Sequence, residues 1–142
     1  MNSGGQVWSW GNNGFGQLGD NTIIAKSSPI SVVGNLNFVA IKNNLAIDIS
    51  NRIWSWGSNN SGQLGDGTTS NRSSPVLMQG EPLRGNIVAV SKGANSFAVM
   101  LTNEKKIFTV GKNNFGQLGD SSTTNKSIPV AVTGSTKYIE IA

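Results

Sequence analysis

Cysteine and histidine are both absent from this 142-residue chain, which removes the side chains on which many active sites depend. Without them the chain can form no disulfide, no thiolate nucleophile, no histidine general base and no zinc site of the usual Cys/His kind. Charged residues are also scarce, at 13% of the chain, whereas soluble domains average about a quarter. The composition therefore excludes several common catalytic classes.

The carboxylates do not make up for these absences, because they are scattered along the chain. Acid–base catalysis of the glycosidase type needs two carboxyl groups within several ångströms of each other. The seven carboxylate residues are Asp20, Asp48, Asp66, Glu81, Glu104, Asp120 and Glu140. The stretch Gly14–Gly19 has the G-x-G-x-x-G spacing of a dinucleotide fingerprint, but no helix is predicted after it. We predict that the chain is not an enzyme and has no cofactor or metal site.

Long apolar runs and dense basic runs are missing too. No segment approaches the roughly 20 apolar residues that cross a bilayer, and Met1–Gly5 has neither the cationic nor the apolar part of a signal peptide. The net charge is +4, but Lys105–Lys106 is the sole adjacent basic pair. We expect a soluble chain with no membrane or nucleic-acid partner, and the sequence assigns it no compartment.

Glycine, in contrast, is abundant, with 18 residues, and much of it belongs to an internal repeat. The pentapeptide Gly-Gln-Leu-Gly-Asp, here called the signature loop, occurs three times. Its residues are Gly16, Gln17, Leu18, Gly19 and Asp20, then Gly62, Gln63, Leu64, Gly65 and Asp66, then Gly116, Gln117, Leu118, Gly119 and Asp120. A cation follows each Asp by six positions (Lys26, Arg72, Lys126) and a proline by nine (Pro29, Pro75, Pro129). Repetition of this kind predicts stacked structural units.

Four short apolar runs occur within each of the first two repeats of about 50 residues and three within the last, and this period is typical of a β-propeller blade. We predict an all-β fold of three blade repeats in a partial or open propeller, with about eleven short strands. We expect a single domain over 1–142, with repeats at about 5–50, 51–103 and 104–142. The last repeat is incomplete and ends in a predicted strand at Tyr138–Ile141.

The signature loop is interpreted as structural. Its glycines suit positive φ or close backbone approach, its leucine closes the loop onto the blade, and its Asp accepts backbone N–H groups in the next turn. Each proline is expected to open a strand. The pairs Trp8/Trp10 and Trp54/Trp56 are replaced by Phe108 and Val110 in the third repeat, which favours burial between blades over a stacking platform for sugars or bases.

Lys26, Arg72 and Lys126 are the candidate partner-binding residues. Equivalent positions in stacked blades would form an arc of cations on one rim, which could hold a phosphate-rich or acidic partner. The alternative is that each cation pairs with a nearby Asp or is merely solvated.

These residues carry a family resemblance. The pattern of a strand ending in Trp-Gly, then Gly-Gln-Leu-Gly-Asp, then Pro-Val resembles the repeat of the regulator of chromosome condensation family, whose members include bacterial and phage proteins. The resemblance covers about Gly5 to Ala142 and implies closed propellers of about seven blades that serve as platforms for protein partners. Three repeats, and Asn95 where the family commonly has His, depart from that pattern. The family's nucleotide-exchange role is not carried over, since the matching residues are structural.

Three functions stay open. The first is a non-enzymatic protein-interaction scaffold. The second is a structural component of a larger assembly, such as a surface protein of a phage or virus particle, which would place the chain in a virion. The third is a lectin-like carbohydrate binder. Three blades cannot readily close a ring, so we expect a protein partner or further copies of the chain to cover the open blade faces.

Overall fold

The computed structural model describes residues 1–80, 87–93 and 96–134. Within these ranges all helices and strands that could be assigned are β-strands, and no helix is present. The strands are β1 (Trp8–Gly11), β2 (Lys26–Ser31), β3 (Phe38–Lys42), β4 (Leu45–Asp48), β5 (Ile53–Gly57), β6 (Arg72–Leu77), β7 (Ile87–Gly93), β8 (Phe97–Thr102), β9 (Ile107–Gly111) and β10 (Lys126–Ala131). They form three open, antiparallel sheets. The all-β prediction is confirmed, and the eleventh strand predicted at Tyr138–Ile141 lies outside the described residues.

The sheets are offset from the sequence repeats by half a unit. The first sheet contains β1 and β2 only, the second has the order β3-β4-β5-β6, and the third has the order β7-β8-β9-β10. Each four-stranded sheet therefore combines the last two strands of one repeat with the first two strands of the next. The sequence interpretation assumed that the four strands of one repeat form a blade, and this assumption is wrong.

Tight turns explain this offset, because a short connection makes consecutive strands neighbours. Between β4 and β5, the Asp48 carboxylate accepts the backbone N–H groups of Ser50 and Arg52 at 2.8 and 2.9 Å. Between β8 and β9, the Thr102 hydroxyl oxygen accepts the backbone N–H of Lys106 at 3.1 Å. These turns join strands of successive repeats into one sheet.

The prolines lie inside strands, so the prediction that they open them is wrong. β2 begins at Lys26, three residues before Pro29. Pairing between β1 and β2 runs from Gly11 opposite Lys26 to Ser9 opposite Ile30, so the two strands fall out of register across the proline. Because β2 is an edge strand and the ladder is interrupted there, the missing N–H of the proline is tolerated. β6 and β10 show the same irregularity.

Two hydrophobic clusters lie between the sheets. The first joins the first and second sheets and contains Val7, Val32, Phe38, Ala46 and Trp56. The second joins the second and third sheets and contains Leu45, Ile47, Ile53, Met78, Ile87, Ala98, Met100, Phe108 and Val110. The core is therefore a series of inter-sheet layers, as expected for repeat units that cannot bury their faces alone.

Burial of the aromatic strand positions depends on the repeat. Trp56 is 1% exposed, and Phe108 and Val110 are also buried, which confirms the prediction for these positions. Trp8 and Trp10 are 46% and 61% exposed, so the prediction is wrong in the first repeat. β1 belongs to the two-stranded sheet at the end of the stack, and the described residues leave that side of it uncovered.

Candidate interaction surfaces

A buried asparagine organises each signature loop. In the second loop, the Asn59 side-chain amide donates to the Asp66 carboxylate and to the carbonyl oxygens of Thr68 and Ser70, at 3.0 to 3.1 Å. Its amide oxygen accepts the N–H of Leu64 at 2.9 Å. The same arrangement is made by Asn13 and Asn113. Sequence reasoning missed these residues, although an Asn seven positions before each signature Asp was a signal.

The signature leucines are buried beneath their loops, as predicted. The carbonyl oxygen of each leucine accepts a hydrogen bond from a hydroxyl group on the preceding strand. The pairs are Ser9–Leu18, Ser55–Leu64 and Thr109–Leu118, with oxygen–oxygen distances of 2.6, 2.6 and 2.7 Å. The glycines of the signature have φ between 64° and 79°, which fits their predicted backbone role. This set of contacts ties each loop to the strand that precedes it.

Each signature Asp accepts hydrogen bonds from the turn that follows it, as predicted. The Asp120 carboxylate accepts the backbone N–H and the hydroxyl of Ser122 and the amide of Asn113, at 2.8 to 3.0 Å. Desolvation by burial disfavours the charged form, but these hydrogen bonds and Lys126 outweigh it and lower the pKa of Asp120 to about 2. The same kinds of interaction lower the pKa values of Asp20 and Asp66.

The three candidate partner-binding cations face their own loops. Lys26 lies 3.6 Å from Asp20, Arg72 lies 2.7 Å from Asp66, and Lys126 lies 3.3 Å from Asp120. Each side chain is about one-third exposed. The positive charge of each cation is offset by the carboxylate of the signature Asp with which it pairs. The arrangement brings every cation to the same place in its repeat, and their role in binding a partner stays a prediction.

Two exposed isoleucines, here called the apolar tip, distinguish the first repeat from the others. Ile23 and Ile24 follow the first signature loop and are 68% and 64% exposed. The equivalent positions hold Thr69 and Ser70 in the second repeat and Thr123 and Thr124 in the third. The fold therefore does not require apolar residues at this place. Sequence reasoning missed the tip, although the departure from the other two repeats was visible.

A cleft of about 340 Å³ lies beside β1 and is here called the tryptophan cleft. Its lining includes the exposed Trp8 and Trp10 and the amide side chains of Asn12, Gln17 and Asn44. Aromatic faces beside amide groups can stack on a ligand and hydrogen-bond to it.

Other kinds of site are not found in the described ranges. No group of three or more His, Cys, Asp or Glu side chains within residues 1–80, 87–93 and 96–134 could hold a metal ion. In that same part of the chain, no helix is long and apolar enough to cross a membrane.

The sheets, the inter-sheet clusters and the repeated loops define an open β-propeller. The chain belongs to the family of the regulator of chromosome condensation (RCC1) repeat, whose model matches residues 4–42, 50–100 and 105–142. Proteins of this family are typically binding or exchange-factor proteins and are generally not catalysts. No curated protein sequence matches the chain significantly.

Solved structures show the same fold. Human WBSCR16 is 20% identical, with a TM-score of 0.78 over 92% of this chain and 34% of that one. Yeast RCC1 (Prp20), in a structure bound to Kap60, is 18% identical, with a TM-score of 0.78 over 96% of this chain and 35% of that one. Prp20p from Saccharomyces cerevisiae gives 16% identity and a TM-score of 0.72. The chain spans about one-third of the length of these proteins.

Proposed function

We propose that this chain is a non-enzymatic protein-interaction scaffold and that a protein partner docks on the apolar tip. The observation that carries the proposal is the exposure of Ile23 and Ile24 at positions where the other repeats hold Thr or Ser. The family supports it, and so does the similar yeast RCC1, whose structure was determined bound to Kap60.

Energetics favour an interface at the apolar tip. Burial of an isoleucine side chain stabilises a complex by roughly 1.5–3 kcal/mol relative to leaving it in water. The tip stands on a loop that Asn13 holds by hydrogen bonds to the carbonyl oxygens of Thr22 and Ile24. A partner would therefore bind a preorganised surface and lose little conformational entropy there.

Photo-crosslinking at position 24 tests this proposal. A photoreactive side chain replaces Ile24, and adducts formed in an extract of the source organism are identified by mass spectrometry. We expect one protein to dominate the adducts at position 24 and to be absent when the same group replaces Ile49, which is 71% exposed. Equal labelling of the same proteins at both positions would contradict specific binding at the apolar tip.

The domain prediction is retained as part of this proposal. We propose that 1–142 acts as one domain, because the clusters between the sheets tie the second sheet to both neighbours. The repeat limits at about 5–50, 51–103 and 104–142 describe the sequence units. The open ends of the stack are to be covered by protein, either a different partner or further copies of the chain. The placement on a phage or virus particle stays a prediction.

The three cations Lys26, Arg72 and Lys126 are a weaker basis for function than the apolar tip. The ion pairs of Lys26, Arg72 and Lys126 offset the positive potential that an acidic partner would need. Heparin, a polyanion, is a direct probe of these three cations. We expect little retention on heparin at physiological salt, and an unchanged elution of Lys26→Ala.

Carbohydrate binding is a second candidate, favoured by the tryptophan cleft. Trp8 and Trp10 are exposed and line the cleft together with Asn12 and Gln17, and aromatic rings and amide groups can stack on a sugar and hydrogen-bond to it. A glycan array tests this candidate with the wild-type chain and Trp10→Ala. Binding that is lost in Trp10→Ala would support it, whereas no bound glycan would remove it.

A further inference from the structure

The two internal boundaries between sheets use the same loop-to-strand contact. A Cβ added to Gly16 would lie 2.5 Å from the Cα of Ser73, and one added to Gly62 would lie 2.7 Å from the Cα of Ser127. The carbonyl oxygens of these serines accept N–H groups from Asn21 and Gly67 respectively, both at 2.8 Å. The first glycine of each of the first two signature loops thus packs against the outer strand of the next sheet, where there is no room for a side chain.

A second contact accompanies the first. The Cα of Gln17 lies 3.3 Å from where a Cβ of Gly57 would be, and the Cβ of Gln63 lies 3.0 Å from the corresponding point at Gly111. The signature glutamine therefore covers the glycine that ends the third strand of the next sheet. At the first boundary, the Trp56 indole N–H also donates to the carbonyl oxygen of Gln17 at 3.1 Å.

The third signature loop has the same residues, but among the described residues no strand of a further sheet lies against it. A Cβ at Gly116 would meet only its own loop, at the Ser122 carbonyl oxygen 3.8 Å away. The neighbouring Phe115 is 88% exposed, whereas Phe15, which precedes Gly16, is 51% exposed. One end of the stack therefore presents a complete loop surface without its strand.

The first sheet presents the opposite half of the contact. Gly11 is equivalent to Gly57 and has nothing within 4 Å of its added Cβ among the described residues. Ser27 is equivalent to Ser73 and is exposed. Trp10 is equivalent to Trp56 and is 61% exposed instead of 1%. This end of the stack therefore presents the receiving strands without their loop.

We propose that the chain self-associates head to tail, with the third signature loop of one copy seated on β1 and β2 of a second copy. Gly116 would lie on Ser27, Gln117 would cover Gly11, and the Ser121 N–H would donate to the Ser27 carbonyl oxygen. The occupant is a second copy of this chain because the two uncovered surfaces repeat, residue type for residue type, a contact that the chain already makes twice.

The geometry of such a contact predicts the type of interface. The two surfaces differ, so the interface is heterologous, and a heterologous interface closes a ring or propagates. Two copies are the smallest assembly in which this contact can form, because the described residues of one copy present one half of it at each end of the stack. This inference rests on the proposed function only in that protein covers the open ends.

Two variants test the interface, each removing one half of it. Gly116→Asn adds a Cβ to the loop while keeping positive φ accessible, since Asn21, Asn35, Asn43 and Asn51 already adopt positive φ in this chain. Ser27→Trp blocks the receiving strand. The matched control is Gly14→Asn, because Asn60 and Asn114 already occupy the positions equivalent to Gly14. Light scattering after size exclusion gives the mass, and circular dichroism verifies the fold.

Wild type and Gly14→Asn should show at least twice the 14.9 kDa mass of one chain. Each blocking variant should remain monomeric, with a dissociation constant raised at least tenfold. An equal mixture of the two blocking variants should form pairs again, because one intact loop can meet one intact strand pair. A monomeric wild type, or pairing by Gly116→Asn alone, would overturn the inference. Crosslinking of a different protein at position 24 should persist in Gly116→Asn, which separates this inference from the proposed function.

Discussion

The indole N–H of Trp56 donates a hydrogen bond to the backbone carbonyl oxygen of Gln17 across the boundary between the first two sheets, at a distance of 3.1 Å. The side-chain amide of Asn44 donates to the same oxygen. One carbonyl of the first signature loop thus accepts two donors from the second sheet. The Trp56 ring also packs on Phe38, with 6.0 Å between ring centroids. This relationship joins a loop to the next sheet through both polar and apolar contacts.

Loss of this anchor should destabilise the chain strongly. We expect Trp56→Ala to lower the free energy of unfolding by about 3–5 kcal/mol, since the ring is buried and its removal leaves a cavity. Trp10→Ala is the matched control and should cost less than about 1 kcal/mol in the monomeric Gly116→Asn background. Urea unfolding followed by circular dichroism measures both. Similar losses for the two variants would contradict the assigned burial.

The asparagine at the centre of each loop should be as important as the apolar residues. Asn59→Ala removes the partner of the buried N–H of Leu64 and of the carbonyl oxygens of Thr68 and Ser70, and an unsatisfied buried group costs about 1–3 kcal/mol. We therefore expect a loss of about 3 kcal/mol in the free energy of unfolding. Asn60→Ala, at the exposed neighbouring position, should change it by less than about 0.5 kcal/mol. Comparable urea midpoints for both variants would argue against the network.

Glycine at position 16 should be required by the loop-to-strand contact. Gly16→Ala places a Cβ 2.5 Å from the Cα of Ser73 and forces an alanine to φ +77°. We expect a loss of about 1–3 kcal/mol. Gly14→Ala is the control, since its Cβ would meet only the Asn12 side chain at 3.7 Å. Thermal unfolding midpoints compare the two, and an unchanged midpoint for Gly16→Ala would refute the close approach.

Acid should weaken the fold over a defined pH range. The pKa of Asp120 is lowered from 3.8 to about 2 in the folded chain, so the folded state favours the ionised carboxylate. The stabilisation is essentially complete above about pH 5 and is lost progressively as the pH falls toward 2, because the unfolded chain then binds the proton more readily than the folded chain. We expect the unfolding temperature to be constant from pH 7 to 5 and to fall below pH 4. The fall should be smaller in Asp120→Asn.

The strands and loops were predictable from sequence because their chemistry repeats. Three copies of one loop made the roles of Leu64 and Asp66 visible, and apolar runs located the strands. Sheet membership was not predictable in the same way. An apolar run specifies a strand but not its partner, and the tight turn at Asp48 assigns β4 to the sheet of β5.

Exposure was the property that the sequence conveyed least. Trp10 and Trp56 occupy equivalent positions and have the same strand neighbours in sequence, yet their exposures differ sixty-fold or so. Trp56 is buried because the first signature loop, which belongs to the first sheet, lies against it. No such loop lies against Trp10 among the described residues. The apolar tip was missed for a different reason, since two isoleucines in a repeat also fit a strand.

A binding titration tests the central claim most directly. The protein captured at position 24 is titrated with wild type, with the swap variant Ile23→Thr/Ile24→Ser, and with the control Ile49→Thr. The swap introduces the residues of the second repeat, which the fold already accommodates at Thr69 and Ser70. We predict that the swap raises the dissociation constant at least tenfold, a change of about 1.4 kcal/mol, while Ile49→Thr leaves it unchanged. Equal affinities for wild type and the swap variant would contradict the account.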